Sequence, residues 1–492
     1  MVVMQQRCDG RGYVSLLQLQ LASMDLLVAC RNLRRLTVRV TKDTPYSLWF
    51  PRDSQAQRSS RSKTARLLNR VPMIRPYGVE WYGVTLVPTL LETDMYSGVV
   101  QLDLSRAMGD KFICFKDFRC WPPSLRKLTL WKYFGELHGE CIDGVHLPQS
   151  LHELVIGGYF NQSVAGVVWP QHLQQLTIGG WFDQPIAGVV WPQSLEQLTI
   201  RGKFYRPITG VVWPQRLKQL TIGGCFDHPI AGVVWPTSLV QLTIGGYFSQ
   251  SIAGVVWPAP LQRLKLSYNR PFCAYAPGLR KLSLCGNFNQ PITDLVAWAP
   301  SLQELEFGSY YNQPITEVAW PPSLRRLTLG SDFNQPINAV GWPPSLRRLV
   351  FGYDFNQPIA DAVWPQTLQE VVFGSCYNQP ITAVAWPPSL RRLTLGSNFN
   401  QPINAVAWPP SLRRLVFGHR FNQPIADAVW PQTLQEVVFG HRFNQPIADA
   451  VWPQTLQEVV VGNDFNQSIA SARWPPSFRR LVVSAGYRIS RR

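Results

Sequence analysis

The sequence predicts a β-rich solenoid, a leucine-rich-repeat-like stack of 22-residue coils with one parallel β-sheet and a helix-poor, proline-rich opposite side. The first observation is a fixed period, because the segment WPPSLRRLTLGSDF that begins at Trp320 recurs with anchors 22 positions apart, at Trp342 and Trp364. A period of about 20–29 residues around a Leu-x-x-Leu-x-Leu core is typical of leucine-rich repeats. The second observation is the proline density between cores, which excludes an α-helix from the return path.

Each repeat supplies one strand and one return segment. In the copy at Trp320, Leu327 and Leu329 alternate with polar residues, which is the period-2 pattern of a half-buried strand. Leu324 anchors the entrance of this strand, and Phe333 lies on the return segment. One copy cannot bury its apolar side alone, so we expect stacked copies to form internal columns of Leu, Phe, Ile and Trp.

The chain divides into three parts by composition. Residues 1–94 fit the repeat poorly and are predicted to form an irregular N-terminal cap with a basic, serine-rich linker. Residues 95–486 carry the solenoid, with one shortened repeat of the LxxLxLxxN type at 261–269, and residues 487–492 form a basic tail. The last repeat strand, at 478–483, presents an edge that needs covering if it is not to pair with another chain.

Composition indicates a folded intracellular protein. Hydrophobic residues make up 46% of the chain and charged residues 16%, which supports a large core and disfavours disorder. The cysteines contain no CxxC pair, which predicts a reduced, cytoplasmic setting. No apolar run reaches the ~18 residues of a membrane span. The apolar stretch 14–30 is interrupted by polar residues, which disfavours a signal peptide.

The formal net charge of +17 raises the alternative of nucleic-acid binding. Much of this charge comes from copied Arg-Arg pairs, so a solvated basic face is the favoured interpretation. No Ser/His/Asp or Cys/His set and no phosphate-binding glycine loop is recognisable, so neither enzyme activity nor a cofactor is predicted. His419 and His441 fall one repeat apart, but no acid or thiol is spaced to complete a metal site with them.

Two surface columns are candidates for partner binding. The outer column after the strand glycine varies widely, and exposed Tyr, Trp and Arg are common interface anchors. Neutral drift predicts the same variety, and both interpretations stay open. The middle strand position forms a second column with neighbours ~4.8 Å apart, where adjacent arginines can bind an acidic partner. The candidate residues are Tyr159, Trp181, Lys203, Tyr247, Tyr310, Arg420 and Arg442 in the outer column and Arg326, Arg348, Arg392 and Arg414 in the strand column.

Two further columns are interpreted as structural. A repeated asparagine, as at Asn334 and Asn356, is expected to bond the backbone of neighbouring coils rather than to form a binding ladder. The aromatic position, as at Phe355, admits only Phe or Tyr and is expected to form a core spine. The Trp-Pro pair is expected to anchor each return segment.

The motif Phe-Asn-Gln-Pro-Ile, followed by a proline-rich return and Pro-x-Ser-Leu-x-x-Leu-x-Phe-Gly, resembles FNIP repeats, a divergent leucine-rich class, over roughly residues 121–486. Tryptophan before proline departs from the smaller aliphatic residue expected there. The resemblance implies a fold built for protein binding. Some members of that family carry an F-box, which would imply a substrate receptor of a ubiquitin ligase, but residues 1–94 contain no Leu-Pro-x-Glu start of an F-box.

The predicted function is therefore a non-enzymatic scaffold for protein–protein interaction. It is expected to bind protein partners, acidic ones included, through the strand face and the adjacent variable columns. A ubiquitin-ligase substrate receptor and a nucleic-acid-binding repeat protein are the alternatives.

Overall fold

The computed structural model describes residues 13–15, 37–40, 78–82, 99–106, 121–130, 147–270, 276–292, 298–483 and 487–490. The chain separates into two compact units, Met1–His228 with Gly232–Leu239 and Pro229–Ala231 with Val240–Arg492. Each unit is a stack of coils in which each coil contributes one strand to a sheet. The described residues contain strands, turns and bends but no helix, so the predicted solenoid with a helix-free return is confirmed in each unit. None of them forms a helix with the length and apolar character that crossing a bilayer requires.

In the first unit, every described strand runs parallel to the strand before it. The first three strands fall in the region predicted to be an irregular cap, and the ladder shifts register between Glu80 and Tyr82. The strands are β1 (Tyr13–Ser15), β2 (Thr37–Val40), β3 (Gly78–Tyr82), β4 (Gln101–Arg106), β5 (Lys127–Leu130), β6 (Glu153–Ile156), β7 (Gln175–Ile178), β8 (Gln197–Ile200) and β9 (Gln219–Ile222).

In the second unit, the strands again run parallel up to β21, and the shortened repeat keeps Leu264 level with Leu282. The final strand, β22, runs antiparallel to β21 and pairs with the edge that the sequence indicated needs covering. The strands are β10 (Gln241–Ile244), β11 (Arg263–Ser267), β12 (Lys281–Cys285), β13 (Glu304–Phe307), β14 (Arg326–Thr328), β15 (Arg348–Val350), β16 (Glu370–Val372), β17 (Arg392–Thr394), β18 (Arg414–Val416), β19 (Glu436–Val438), β20 (Glu458–Val461), β21 (Arg480–Val483) and β22 (Tyr487–Ser490).

The core consists of the predicted columns. Leu327 and its register partner Leu349 are fully buried. Rings of the aromatic spine stack face to face, with centroids 6.1 Å apart and planes 13° apart for Phe333 and Phe355, which confirms the predicted spine. In the first unit the equivalent step is 6.0 Å, between Phe182 and Phe204. These ring-to-ring distances exceed the ~4.8 Å between neighbouring strands. Within each unit, successive coils therefore lie closer together along the sheet than along the aromatic spine.

In the second unit, glycine is required after strands β13 to β20, where successive coils approach each other. A Cβ atom added at Gly352 would overlap the carbonyl oxygen of Gly330 on the preceding coil. Gly341, on the return segment of the same unit, would meet no heavy atom within 4 Å. Neither glycine has a positive φ, so the two positions differ only in the space that is available for a Cβ atom.

We expect Gly352→Ala to lower the free energy of unfolding by about 3 kcal/mol, because the overlap is with backbone that cannot rotate away. Gly341→Ala, the matched control, should change it by less than about 0.5 kcal/mol. Urea denaturation followed by circular dichroism measures both. Equal stability of the two variants would contradict the close approach.

A second expectation concerns Tyr377, whose hydroxyl is buried in the aromatic spine and has no hydrogen-bond partner among the described protein atoms. Burial raises the pKa of Tyr377 well above its usual value near 10. Because the folded-state pKa is raised, stability is retained below pH ~10 and declines above it as the unfolded chain ionises first.

We therefore expect Tyr377→Phe to raise the free energy of unfolding by about 1 kcal/mol at neutral pH, since it removes an unpaired buried hydroxyl. The variant should also weaken the decline in stability above pH ~10. Denaturation midpoints at pH 7 and above pH 10 test this. Tyr353→Phe is the control, because Tyr353 is 59% exposed and its hydroxyl needs no protein partner.

Candidate functional site

The first unit brings three of the predicted residues together beside its strand face. Tyr159, Trp181 and Lys203 each follow a strand by three residues on successive coils. The ring centroids of Tyr159 and Trp181 lie 5.2 Å apart in an edge-to-face arrangement. The Nζ atom of Lys203 lies 3.6 Å from the centroid of the Trp181 ring. Trp181 remains 49% exposed, so a large aromatic surface faces solvent.

Backbone hydrogen bonds fix the position of this cluster. The amide of Trp181 donates to the carbonyl of Gly158 at 3.0 Å, and the amide of Lys203 donates to the carbonyl of Gly180 at 3.1 Å. The cation-π contact and the edge-packed tyrosine then limit the rotamers of the indole. A solvent-facing aromatic side chain that is held in this way is pre-organised to act as an interface anchor.

Sequence reasoning did not identify a second exposed aromatic group next to this cluster. Tyr205 is 50% exposed, and its ring centroid lies 4.7 Å from that of His228. The adjacent Arg206 forms an ion pair with Asp183, with Nη2 and Oδ2 2.9 Å apart. The signal was present in the sequence, because Tyr205 replaces the usual Asn of the repeat.

The outer-column candidates of the second unit are exposed: Tyr247 and Tyr310 lie three coils apart, whereas Arg420 and Arg442 lie on adjacent coils. Tyr247, which is 76% exposed, follows β10, and Tyr310, which is 56% exposed, follows β13. Arg420 and Arg442 are also exposed and follow β18 and β19. They form no ion pair within the described part of the chain.

The two histidines that precede these arginines lie against each other. The ring centroids of His419 and His441 are 4.7 Å apart. No group of three or more potential metal ligands occurs among the described residues.

Several arginines of the strand column form ion pairs within the chain. Arg326 and Arg348 are register partners, yet each turns away from the other to an acid on its far side. The Nη1 atom of Arg326 lies 2.7 Å from Oε1 of Glu304, and Nη1 of Arg348 lies 3.6 Å from Oε2 of Glu370. These two arginines are therefore already paired within the chain.

The next two arginines of this column, Arg392 and Arg414, differ in whether they form an ion pair. The Nε atom of Arg414 lies 3.0 Å from Oε2 of Glu436. Arg392 lies level with Glu370 in the sheet register, but that acid is the partner of Arg348. Arg392 is exposed and makes no ion pair with any described residue, so it keeps its full capacity for an external anion.

A further arginine column was missed by sequence reasoning. The amides of Arg325 and Arg326 both donate to the carbonyl of Gln303 at 2.9 Å, so two consecutive residues face solvent where the strand begins. Strict alternation along a strand predicts that only one of these two consecutive side chains faces solvent. In the second unit the arginines of this column are Arg280, Arg325, Arg347, Arg391, Arg413 and Arg479, all exposed and all without an ion pair to a described residue.

The asparagine column is structural, as predicted. The Oδ1 atom of Asn334 accepts hydrogen bonds from the amide of Asn356 at 3.0 Å and from Nε2 of Gln357 at 3.1 Å. The same pair of bonds recurs from coil to coil through the second unit. In the first unit Oδ1 of Asn161 accepts from the amide of Asp183 at 2.8 Å, and Asp183 in turn supplies the acceptor for the amide of Tyr205 at 2.8 Å.

Comparison with known proteins matches a family model and several solved structures. This chain is similar to CroV588, whose crystal structure is described as a novel circular LRR protein structure, with 32% sequence identity and a TM-score of 0.70. The match covers 85% of this chain and 67% of CroV588. A search among curated proteins finds no match. The FNIP Repeat model matches residues 299–332, 311–347, 333–376, 377–407 and 406–442.

Two further solved structures match at lower sequence identity. An internalin from Listeria monocytogenes is 15% identical, covers 68% of this chain and 88% of its own, and has a TM-score of 0.33. Toll in its complex with Spatzle, from Drosophila, is 13% identical, covers 89% of this chain and 63% of its own, and has a TM-score of 0.47.

The asparagine ladder leads to a stability prediction. We expect Asn378→Ala to lower the free energy of unfolding by about 1–3 kcal/mol, because the amide of Asn400 and Nε2 of Gln401 lose the acceptor that they share. Asn378→Asp retains an oxygen at the same place, as Asp183 does in the first unit, and should be less destabilising. Thermal denaturation of the two variants measures the difference, and an equal loss would contradict the acceptor role.

Proposed function

Because the chain belongs to the FNIP-repeat family of leucine-rich repeat proteins, we propose that it is a non-enzymatic scaffold that binds protein partners through its strand face and outer column. Stacked repeats of this class present extended surfaces that are commonly used for protein interaction. The repeated core and ladders leave only the outward columns free to vary, so recognition is assigned to those columns.

The observation that carries this proposal is the cluster of Tyr159, Trp181 and Lys203. It combines an exposed indole with an edge-packed ring and a cation, all fixed by the coil register. Aromatic side chains of this kind, when a partner covers them, contribute a large share of binding energy at protein interfaces.

The arginines of the second unit support an acidic component in the partner. Arg392 and the neighbouring Arg391 and Arg413 are exposed and have no internal ion pair with described residues. Guanidinium groups bind carboxylates in a bidentate manner. Arg326, Arg348 and Arg414 contribute less, since an external acid would have to compete with the glutamates that they already contact.

An intracellular setting is part of the same proposal. Cys225, Cys285 and Cys376 are free thiols. Burial raises the pKa of the Cys285 thiol, which keeps it protonated and weakly nucleophilic at neutral pH. Such a thiol suits a reducing compartment and offers no activated nucleophile for covalent catalysis.

The test is affinity capture with the full chain as bait, followed by quantitative mass spectrometry. We expect Trp181→Ala to reduce the yield of the specific partner at least tenfold, because an anchor worth about 2 kcal/mol changes affinity by more than an order of magnitude. Val190→Ala is the matched control, since Val190 is an exposed apolar residue of the same unit on the Trp-Pro side.

Two outcomes would contradict the proposal. Equal capture by the wild type and Trp181→Ala would remove the aromatic cluster from the interface. Capture that disappears on nuclease treatment, and that falls steeply between 50 and 200 mM salt, would instead indicate the nucleic-acid alternative.

A further inference from the structure

A recess of about 490 Å³ opens on the strand face of the second unit, over strands β10 to β13. Its floor is the shortened repeat. The sheet register places Lys265, Ser283 and Glu306 side by side on β11, β12 and β13. The small Ser283 side chain is only 3% exposed and lies between two long ones, so the surface is hollow at this point.

The two carboxylates that line the recess already have hydrogen-bond or ion-pair partners within the chain. Glu304 contacts Arg326 at 2.7 Å and Lys281 at 3.6 Å. Glu306 accepts a hydrogen bond from the Ser283 hydroxyl at 3.0 Å and lies 3.6 Å from the same Lys281 ammonium. Arg326, Lys281 and Ser283 therefore hold the two carboxylates.

Three basic side chains that line the recess have no such partner among the described residues. Arg263 and Lys265 project from β11, and Arg280 precedes β12, where its amide donates to the carbonyl of Gln262 at 2.9 Å. The side chains of these three basic residues are exposed and make no hydrogen bond or ion pair with any described residue. The recess thus keeps three available cations next to two neutralised acids.

We propose that this recess binds an acidic segment of a protein partner, with a carboxylate of that segment placed among Arg263, Lys265 and Arg280. This inference rests on the proposed function, because its ligand is part of a bound protein. Charge-assisted hydrogen bonds to guanidinium and ammonium groups are the strongest polar contacts that such a surface offers.

The shape and chemistry favour a protein segment over other ligands. Small-molecule sites are mostly apolar, whereas this recess is lined largely by charged and amide side chains. The carboxylates of Glu304 and Glu306 on one wall disfavour a continuous run of phosphates but tolerate a single carboxylate on the opposite wall. Tyr247 and Tyr310, which are 76% and 56% exposed, follow the two outer strands of the recess and provide aromatic anchors beside it.

The experiment measures fluorescence polarisation of labelled hexaglutamate with the full chain, and uses hexaglutamine and hexalysine as probe controls. We expect hexaglutamate alone to bind, and Lys265→Glu to weaken its binding about tenfold or more, because a carboxylate then faces the probe. Arg473→Glu changes the net charge equally but lies on the Trp-Pro side of the same unit, and it should leave binding within about twofold.

A variant that is expected to strengthen hexaglutamate binding controls for the case in which the other variants lose binding because they misfold. Glu306→Gln removes one negative charge from the wall and should tighten hexaglutamate binding about two- to threefold. Lys265→Gln, a milder change, should give an intermediate loss. Circular dichroism of each variant must match the wild type.

The possible results separate this inference from the proposed function. Equal losses in Lys265→Glu and Arg473→Glu would show a general charge effect and overturn the recess as a site. Absence of hexaglutamate binding, with partner capture still dependent on Trp181, would overturn the recess and leave the scaffold function standing. Tighter binding of an oligoadenylate with the same Lys265 dependence would assign the recess to nucleic acid instead.

Discussion

In the second unit the backbones of neighbouring coils approach closely at the glycine that follows each strand from β13 to β20, and the other columns depend on this approach: a Cβ atom at Gly352 would overlap the carbonyl oxygen of Gly330. In the first unit the close approach falls one residue later, where a Cβ atom at the left-handed Gly180 would overlap Gly158, and the position directly after β8 is Arg201. With the coils held this closely, the strand hydrogen bonds, the asparagine ladder and the stacked rings all repeat in one register. A side chain at that glycine would interrupt all three.

The same constraint separates structure from recognition. Inward positions are filled by leucine, phenylalanine and tryptophan, and the turn positions by asparagine bonded to the next coil. The valine column represented by Val190 faces solvent on the Trp-Pro side, and the outward strand positions and the outer column face solvent on the strand side. These strand-side columns hold the aromatic and cationic cluster of the first unit and the arginines and the recess of the second unit.

Most of the fold was predictable from the sequence, because the 22-residue period determines both the strand positions and the register. Leu327 and Phe333 were assigned to the core, and both are fully buried. Pairing between long side chains was less predictable, since it depends on which neighbour each one turns toward. Arg326 was predicted to be available for a partner but contacts Glu304, whereas Arg325 was overlooked because two consecutive residues face solvent where the strand begins.

The module of three repeats that begins at Trp320 recurs 66 residues later at Trp386, and the unpaired state of Arg392 follows from this copying. Arg348 and Glu370 pair, and their counterparts 66 residues later, Arg414 and Glu436, pair as well. Arg326 has Glu304 as its partner, but its own counterpart, Arg392, adjoins Glu370, which already contacts Arg348. Each further tandem copy of this module would create another such unpaired arginine at its seam, so lengthening the gene lengthens the array of available cations without any new point mutation.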